Sequence, residues 1–492
     1  MIKRVRIVYQ FVLIAVFFLL LIFADYDRST IIHEHFFLEI DPLVFIGISL
    51  SNFAIYGGLA GSFIIILISL FFGRFFCSWI CPLGTLQDVC HVQYKKNLKN
   101  KIEKNRYRKA YITKYLLLIV LLLTSLLGTS QLLGLFDPIV LLTRSVVTAV
   151  FPSLDFNLGI FSVHSQYYQL GWISLSLLLS ILVVAVFFPR TWCRLLCPLG
   201  ALLGLLSFFS IFRIRRNDSK CTNCGLCTSV CNGAADPDKN HRNSECILCM
   251  NCKNICPENA ISFALPKKSS PENKFAEHIN LPEINRRTLI STLAAGSLFA
   301  LSQKAKSIPL PIPSETLIRP PGALAEVKFL NTCIKCDLCM KVCPTNVIQP
   351  VILKGGLASF WTPSLDYQIG HCEYTCTKCS EVCPTQAIKR ISIEEKLGTG
   401  QFAGNPIKIG TAFINRSLCI PYTQQIPCLV CQEVCPTSPK AIYTVEVSRT
   451  SKGQQNVKIA RPIVDASTCI GCGICQRECP VNYAIYVTSS GK

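Results

Sequence analysis

FCSWICPLG at residues 76–84 and WCRLLCPLG at residues 192–200 share one pattern, Cys-x3-Cys-Pro-Leu-Gly, and each closes a long apolar run. The repetition extends outward from these nonapeptides: EIDPLV at 39–44 and LFDPIV at 135–140 precede the two cysteine pairs at corresponding places. Two copies of one helical unit therefore make up this part of the chain. Parallel repeats of this kind are commonly related by an axis along the membrane normal, which would bring Cys77 and Cys81 toward Cys193 and Cys197. Asp41-Pro42 and Asp137-Pro138 have the signature of an N-cap followed by proline at the first helical position.

The apolar runs Val8–Phe23, Phe53–Phe72, Tyr115–Leu127 with its flanks and Leu170–Phe188 approach the roughly 20 residues a helix needs to cross hydrocarbon. They predict four spanning helices. MIKRVR precedes the first without a small-residue cleavage site, which reads as a retained anchor with its amino end in the cytoplasm. Of the 492 residues 50% are hydrophobic and 16% charged, and the net charge of +20 gathers beside the apolar runs. Lys95–Lys109 holds eight Lys/Arg against Glu103 alone, whereas Asp25–Asp41 carries Asp25, Asp27, Glu34, Glu39 and Asp41. That asymmetry puts both cysteine pairs at the cytoplasmic ends of helices and argues against nucleic acid as a partner.

The predicted fold class is a polytopic α-helical membrane bundle joined to α+β ferredoxin-like domains. Residues 1–212 form the four-helix membrane domain with two CxxxCP motifs, and 213–265 a cytoplasmic two-cluster domain. A linker at 266–285 leads to 286–304, where Arg286 and Arg287 open a weakly apolar Ala/Gly/Ser-rich segment. This segment reads as a twin-arginine export or anchor signal, or as a surface helix with two ordinary arginines. Residues 318–492 form a second soluble domain, periplasmic if the signal operates.

Twenty-four of the 29 cysteines fall into six runs of four. The first two are Cys221, Cys224, Cys227, Cys231 and Cys246, Cys249, Cys252, Cys256. The remaining four are Cys333, Cys336, Cys339, Cys343; Cys372, Cys376, Cys379, Cys383; Cys419, Cys428, Cys431, Cys435; and Cys469, Cys472, Cys475, Cys479. Spacing C-x2-C-x2-C-x3-C-P is that of bacterial ferredoxins, in which three thiolates hold one [4Fe-4S] cluster and the fourth serves its neighbour. Six runs predict six [4Fe-4S] clusters, with Cys256 completing the first site and Cys231 the second. Asn232 after Cys231, the x3 opening of the fourth run and the eight residues between Cys419 and Cys428 depart from the pattern. Zinc accepts four thiolates but has no use for six near-identical runs ending x3-Cys-Pro.

Each Cys-x3-Cys pair supplies two thiolates on one helical face, so Cys77, Cys81, Cys193 and Cys197 together are a candidate site for a further metal or cluster. Redox-active or quinone-site thiols, and buried cysteines that only pack, are the other readings. None of the seven histidines lies in a spanning run, so a membrane haem b with two axial histidines is not expected, and no C-x-x-C-H attachment site is present. With clusters expected on both sides of a roughly 30 Å apolar layer, a diffusing quinone is the natural carrier between them; binding quinol is the alternative role for the two Asp-Pro motifs.

With its paired CxxxCPLG and two ferredoxin runs, the first half resembles NapH-type quinol dehydrogenase membrane proteins. Residues 284–492, with NRRTLI, RPPGA at 319–323 and four further runs, resemble NapG/MauM-type periplasmic ferredoxins. The chain looks like a fusion of the two. The resemblance implies a bacterial inner-membrane, multi-pass protein that takes electrons from the membrane quinone pool. They would pass to a periplasmic c-type cytochrome or a molybdenum reductase such as a nitrate reductase. It implies electron transfer, as a quinol dehydrogenase component, with no catalytic acid, base or nucleophile. It also implies that the first and last of the four C-terminal runs pair, with Cys479 serving the Cys333 site and Cys343 the Cys469 site. A metal-ion reductase, for example of Cu(II), or an assembly factor for a respiratory metalloenzyme is the second reading that the CxxxCP group permits.

Overall fold

A computed structural model describes residues 2–24, 35–91, 97–127, 132–158, 166–239, 241–264, 284–306, 317–352, 354, 356–449 and 457–489. Most of the acidic segment at 25–41 and most of the linker at 266–285 lie outside these residues. The chain divides into two units. One comprises Met1–Phe23, Thr30–Val150 and Gly171–Ala305, the other Ala24–Ser29, Phe151–Leu170 and Lys306–Lys492.

In the first unit α1 (Ile2–Phe23) is followed by α2 (Pro42–Asn52), α3 (Gly61–Phe72), α4 (Phe75–Trp79) and α5 (Pro82–Cys90). The succession then returns as α6 (Thr113–Leu126), α7 (Pro138–Ser145), α8 (Gly171–Phe187), α9 (Thr191–Leu195) and α10 (Pro198–Leu206). Asp41 caps α2, its Oδ1 accepting from the N–H groups of Leu43 at 2.8 Å and Val44 at 3.4 Å. Asp137 caps α7 in the same way, through Ile139 at 2.9 Å and Val140 at 3.0 Å. Both aspartates have 0% exposure, and each is within electrostatic reach of the other. The repeats thus meet at equivalent residues.

The repeats also interlock. α5 packs on α1 of its own repeat and on α7 and α8 of the other, while α10 packs on α6 of its own and on α2 and α3 of the other. Among the described residues two helical stretches, Lys3–Phe23 and Leu98–Leu126, are long and apolar enough to cross a membrane. The other apolar helices have 10–17 residues, at most about 26 Å of rise. The run Phe53–Phe72 is not one helix: α2 ends at Asn52, Phe53 is left-handed at φ 50, and α3 begins only at Gly61. Gly57, Gly58 and Gly61 are weak helix formers and place the break there.

Neither Cys-x3-Cys pair lies along one helix, contrary to the i,i+4 expectation. α4 stops at Trp79, and Cys81 (φ −61, ψ 118) is the N-cap of α5; Cys197 (φ −70, ψ 108) likewise caps α10. The proline that follows each cysteine excludes helical ψ at the preceding residue and starts a new helix at its own position.

After α10 the chain forms β1 (Arg213–Arg216) and β2 (Ile261–Ala264), an antiparallel pair in register Ile214↔Phe263. These strands bracket a small core of Ile214, Leu248, Met250, Cys252 and Ile261. The predicted export segment is a helix, α11 (Arg286–Lys306), which rests on α6 where Gly296 faces Val120 and Leu123.

The second unit is built on three antiparallel pairs: β3 (Ile348–Pro350) with β4 (Pro363–Leu365), β5 (Gly410–Ile414) with β8 (Ile485–Ser489), and β6 (Ile442–Arg449) with β7 (Val457–Val464). The segment Phe151–Leu170 belongs to it. Gln166 Nε2 donates to the Lys341 carbonyl at 2.9 Å, and Asn346 Nδ2 and Gln349 Nε2 donate to the Tyr167 carbonyl at 2.8 and 3.1 Å.

Candidate iron-sulfur sites

The 24 run cysteines gather into six groups of four, each taking three thiols from one run and one from another. In the first unit Cys256 joins Cys221, Cys224 and Cys227 around one cavity, and Cys231 joins Cys246, Cys249 and Cys252 around a second. This is the predicted exchange. In the second unit the groups are Cys333, Cys336, Cys339 with Cys383; Cys419, Cys428, Cys431 with Cys479; and Cys469, Cys472, Cys475 with Cys435. Cys343, Cys372, Cys376 and Cys379, within electrostatic reach of one another, form the last. Consecutive runs therefore pair here, and the first-with-last pairing implied by the family resemblance does not occur. β5–β8 accounts for this: pairing Ile414 with Ile485 brings the loops at Cys419 and Cys479 to the same end of one ribbon.

The five cavities have near-equal volumes of about 330–400 Å³ counting their mouths. Their walls suit a charged inorganic group. Burial, reinforced by neighbouring thiolates, pushes Cys431 and Cys472 up to about 12. Burial likewise holds Cys231 and Cys372 at about 11, against the opposing pull of Arg194 and Lys396 respectively. Four buried thiols cannot all ionise without a cationic core among them, and iron supplies that charge. Among the described residues no three Cys, His, Asp or Glu side chains are gathered closely enough for a single metal ion. The thiols stand around cavities rather than on a point, as a four-iron cube requires.

Several residues near these sites went unnoticed in the sequence. Thr345, Thr385 and Thr437 each bring a hydroxyl to the cysteine two positions earlier, at 3.6, 3.8 and 3.2 Å. The signal was the triplet Cys-Pro-Thr, which occurs at 343, 383 and 435. Lys396 Nζ lies 3.4 Å from Cys372 Sγ and donates to the carbonyls of Glu373 and Cys376. No spacing rule would have found it.

The four CxxxCP thiols come within electrostatic reach of one another without gathering on a point. Cys77, Cys81, Cys193 and Cys197 are 3–7% exposed, and Gln87 Nε2 of α5 lies 3.6 Å from Cys193 Sγ. Two arginines, each three residues before its repeat's first cysteine, cross between the copies. Arg190 pairs with Asp88 at 2.6 Å and donates to the Cys77 carbonyl, lying where a Cβ on Gly84 would come within 3.4 Å. Arg74 occupies the matching place at Gly200, where a Cβ would come within 2.8 Å, and pairs with Glu245 at 3.1 Å. Glu245 also takes Lys114 and the Tyr115 hydroxyl. Arg194, inside the second pair, donates to the carbonyls of Cys231 and Asn232 at 3.0 Å. The quartet therefore adjoins the Cys231 site.

Comparison with known proteins finds iron-sulfur families over parts of the chain. A family described as "4Fe-4S binding domain" matches twice, over residues 54–101 and 170–217, which contain the two CxxxCP repeats. A "4Fe-4S dicluster domain" matches 332–387, and further 4Fe-4S binding domains match 218–234, 241–262 and 460–481. YccM of Escherichia coli, whose name assigns it provisionally to electron transport, is 34% identical over 216 residues, 43% of this chain and 57% of YccM. The methylamine utilization ferredoxin-type protein MauM of Methylobacillus flagellatus is 27% identical over 226 residues, 44% of this chain and 85% of MauM. The ferredoxin-type protein NapH of Haemophilus influenzae is 28% identical over 219 residues, 42% of this chain and 68% of NapH. No solved structure matches the chain. The chain is similar to these proteins over part of its length and matches several 4Fe-4S binding domain families.

Proposed function

We propose that the protein is a membrane-bound relay that takes electrons from quinol at its helical repeats and delivers them to a periplasmic acceptor such as a c-type cytochrome or a molybdenum reductase. The gathering of 24 thiols into six groups of four carries this reading. Clusters bound there would supply one-electron chemistry.

The residues supply position and insulation. In the first unit Arg194 ties the thiol quartet to the Cys231 site, which shares ligand runs with the Cys221 site. In the second, the Cys372 N–H donates to the Cys472 carbonyl at 2.8 Å, joining one pair of sites to the other. In this proposal the chemistry of the acceptor belongs to the partner. The membrane bundle, the retained anchor and export of residues 318–492 complete the proposal; the apolar helices and the Arg286-Arg287 start of α11 support them.

Anaerobically purified full-length protein should hold about 24 iron atoms per chain and show reduced-cluster signals on addition of quinol. Zinc in place of iron, or no response to quinol, would overturn it. Cu(II) reduction that is lost on Cys197→Ser, without any response to quinol, would support the metal-reductase reading instead. A thiol-free reporter fused after Lys492 should be active outside the cytoplasm.

A further inference from the structure

The Cys221 site differs from the others of the first unit in its surface. Cys221, Cys227 and Cys256 are half-buried and Cys224 is exposed, whereas at the neighbouring site Cys231, Cys249 and Cys252 are buried. The loop Thr222–Gly225 forms its outer wall together with Pro257 and Glu258.

A basic element is clamped beside it. The helix Leu98–Asn105 packs on Leu226–Ser229: Ile102 Cδ1 lies where a Cβ on Gly225 would come within 2.7 Å, and Asn105 Nδ2 donates to the Ser229 carbonyl at 2.8 Å. With Ile102 and Asn105 turned inward, Lys99 stands exposed and Lys101 half-buried one turn away. Lys220 is exposed next to Cys221, and Lys253 lies between Cys252 and Cys256. Arg216 lines the cavity itself and pairs with Asp218, and Arg106 pairs with Asp238. Glu103 and Glu258 are exposed carboxylates on the same surface, and among the described residues the lysines and arginines outnumber them around the most accessible thiols of the unit.

We propose that this surface is a second electron port, at which a soluble acidic one-electron carrier docks and exchanges with the Cys221 site. The occupant is set by charge: a cationic collar around an exposed redox site recruits a partner with an acidic rim around its own redox centre, and speeds the encounter. In the exchange the carrier is oxidised by one electron and the site reduced by one; no bond forms or breaks and no proton moves. The proposal rests on the reading of the Cys221 group as a redox-active cluster site, and adds an entry independent of quinol.

The test uses full-length protein in detergent under anaerobic conditions, with a chemically reduced acidic plant-type [2Fe-2S] ferredoxin as probe and stopped-flow absorbance as readout. The second-order rate should fall steeply between low and high salt. Lys99→Glu, Lys101→Glu and Lys220→Glu together should lower it about tenfold or more at low salt. Iron content, the cluster EPR spectrum and the rate with a small neutral reductant should stay at wild-type values. A rate that ignores both salt and the triple substitution, or a cationic redox protein reacting faster than the acidic probe, would overturn the port. Loss of iron from the wild-type preparation would instead overturn the underlying cluster reading.

Discussion

Arg190 reaches out of the second helical repeat and donates from Nη1 to the Cys77 carbonyl of the first at 2.6 Å. The same guanidinium holds Asp88, also in the first repeat, through Nε and Nη2 at 2.8 and 2.6 Å. One side chain thereby fixes the distance between two cysteine pairs that lie more than a hundred residues apart in the chain.

Arg190→Met should therefore cost about 3 kcal/mol, because Asp88 is left nearly buried with only Arg6, at 3.7 Å, as a cationic partner. Arg74→Met should cost less, since Lys114 and Tyr115 still reach Glu245. Thermal inactivation of the two variants in detergent gives the comparison; equal losses would contradict it.

The exchange of fourth ligands can be checked one cysteine at a time. Cys479→Ala should remove the cluster at Cys419, Cys428 and Cys431 and leave the one at Cys333 intact, while Cys383→Ala should do the reverse. Each variant should lose about four iron atoms and one EPR-resolved centre. A Cys479 variant that lost the Cys333 centre would restore the first-with-last pairing.

Asp41 and Asp137 act as helix caps, and Asn caps as well as Asp. Asp41→Asn should then leave stability within about 0.5 kcal/mol and quinol-dependent reduction unchanged, whereas Asp41→Ala should lose about 1 kcal/mol. Loss of the quinol reaction in the Asn variant, with the fold intact, would instead assign the carboxyl pair to the proton chemistry of quinol.

His241 lines the Cys231 site, and burial, with Arg213 nearby, holds its imidazole down at about 4, so it is neutral at pH 7. Neither ring nitrogen has a hydrogen-bond partner among the described residues. A neutral N–H facing a cluster acceptor raises its potential. His241→Phe should lower the midpoint of this centre in an EPR-monitored redox titration, with unchanged iron content. An unshifted midpoint would leave the ring a packing role.

Local rules reached far into this protein. The three-thiol loops, the capping aspartates and the doubled unit were all legible, because each depends on residues a few positions apart whose backbone geometry is set by their neighbours. Cys81 and Cys197 show where a local rule fails: i,i+4 spacing predicts one helical face, but Pro82 and Pro198 start a new helix after each of them. Cys-Pro-Thr and the arginine three residues before each first cysteine were in view, yet neither has a meaning until its partner is in place.

What the chain's letters determined is the chemistry of the sites: soft thiolates in fours, apolar helices beside cationic loops, and a unit written twice. Which run lends its fourth cysteine, that each repeat's arginine serves the other copy, and that a lysine-bearing helix settles against Gly225 were decided by tertiary structure. A single missing ligand sits dozens of residues away, and only the pairing of strands such as β5 with β8, and the burial of helix faces against one another, converts that separation into contact.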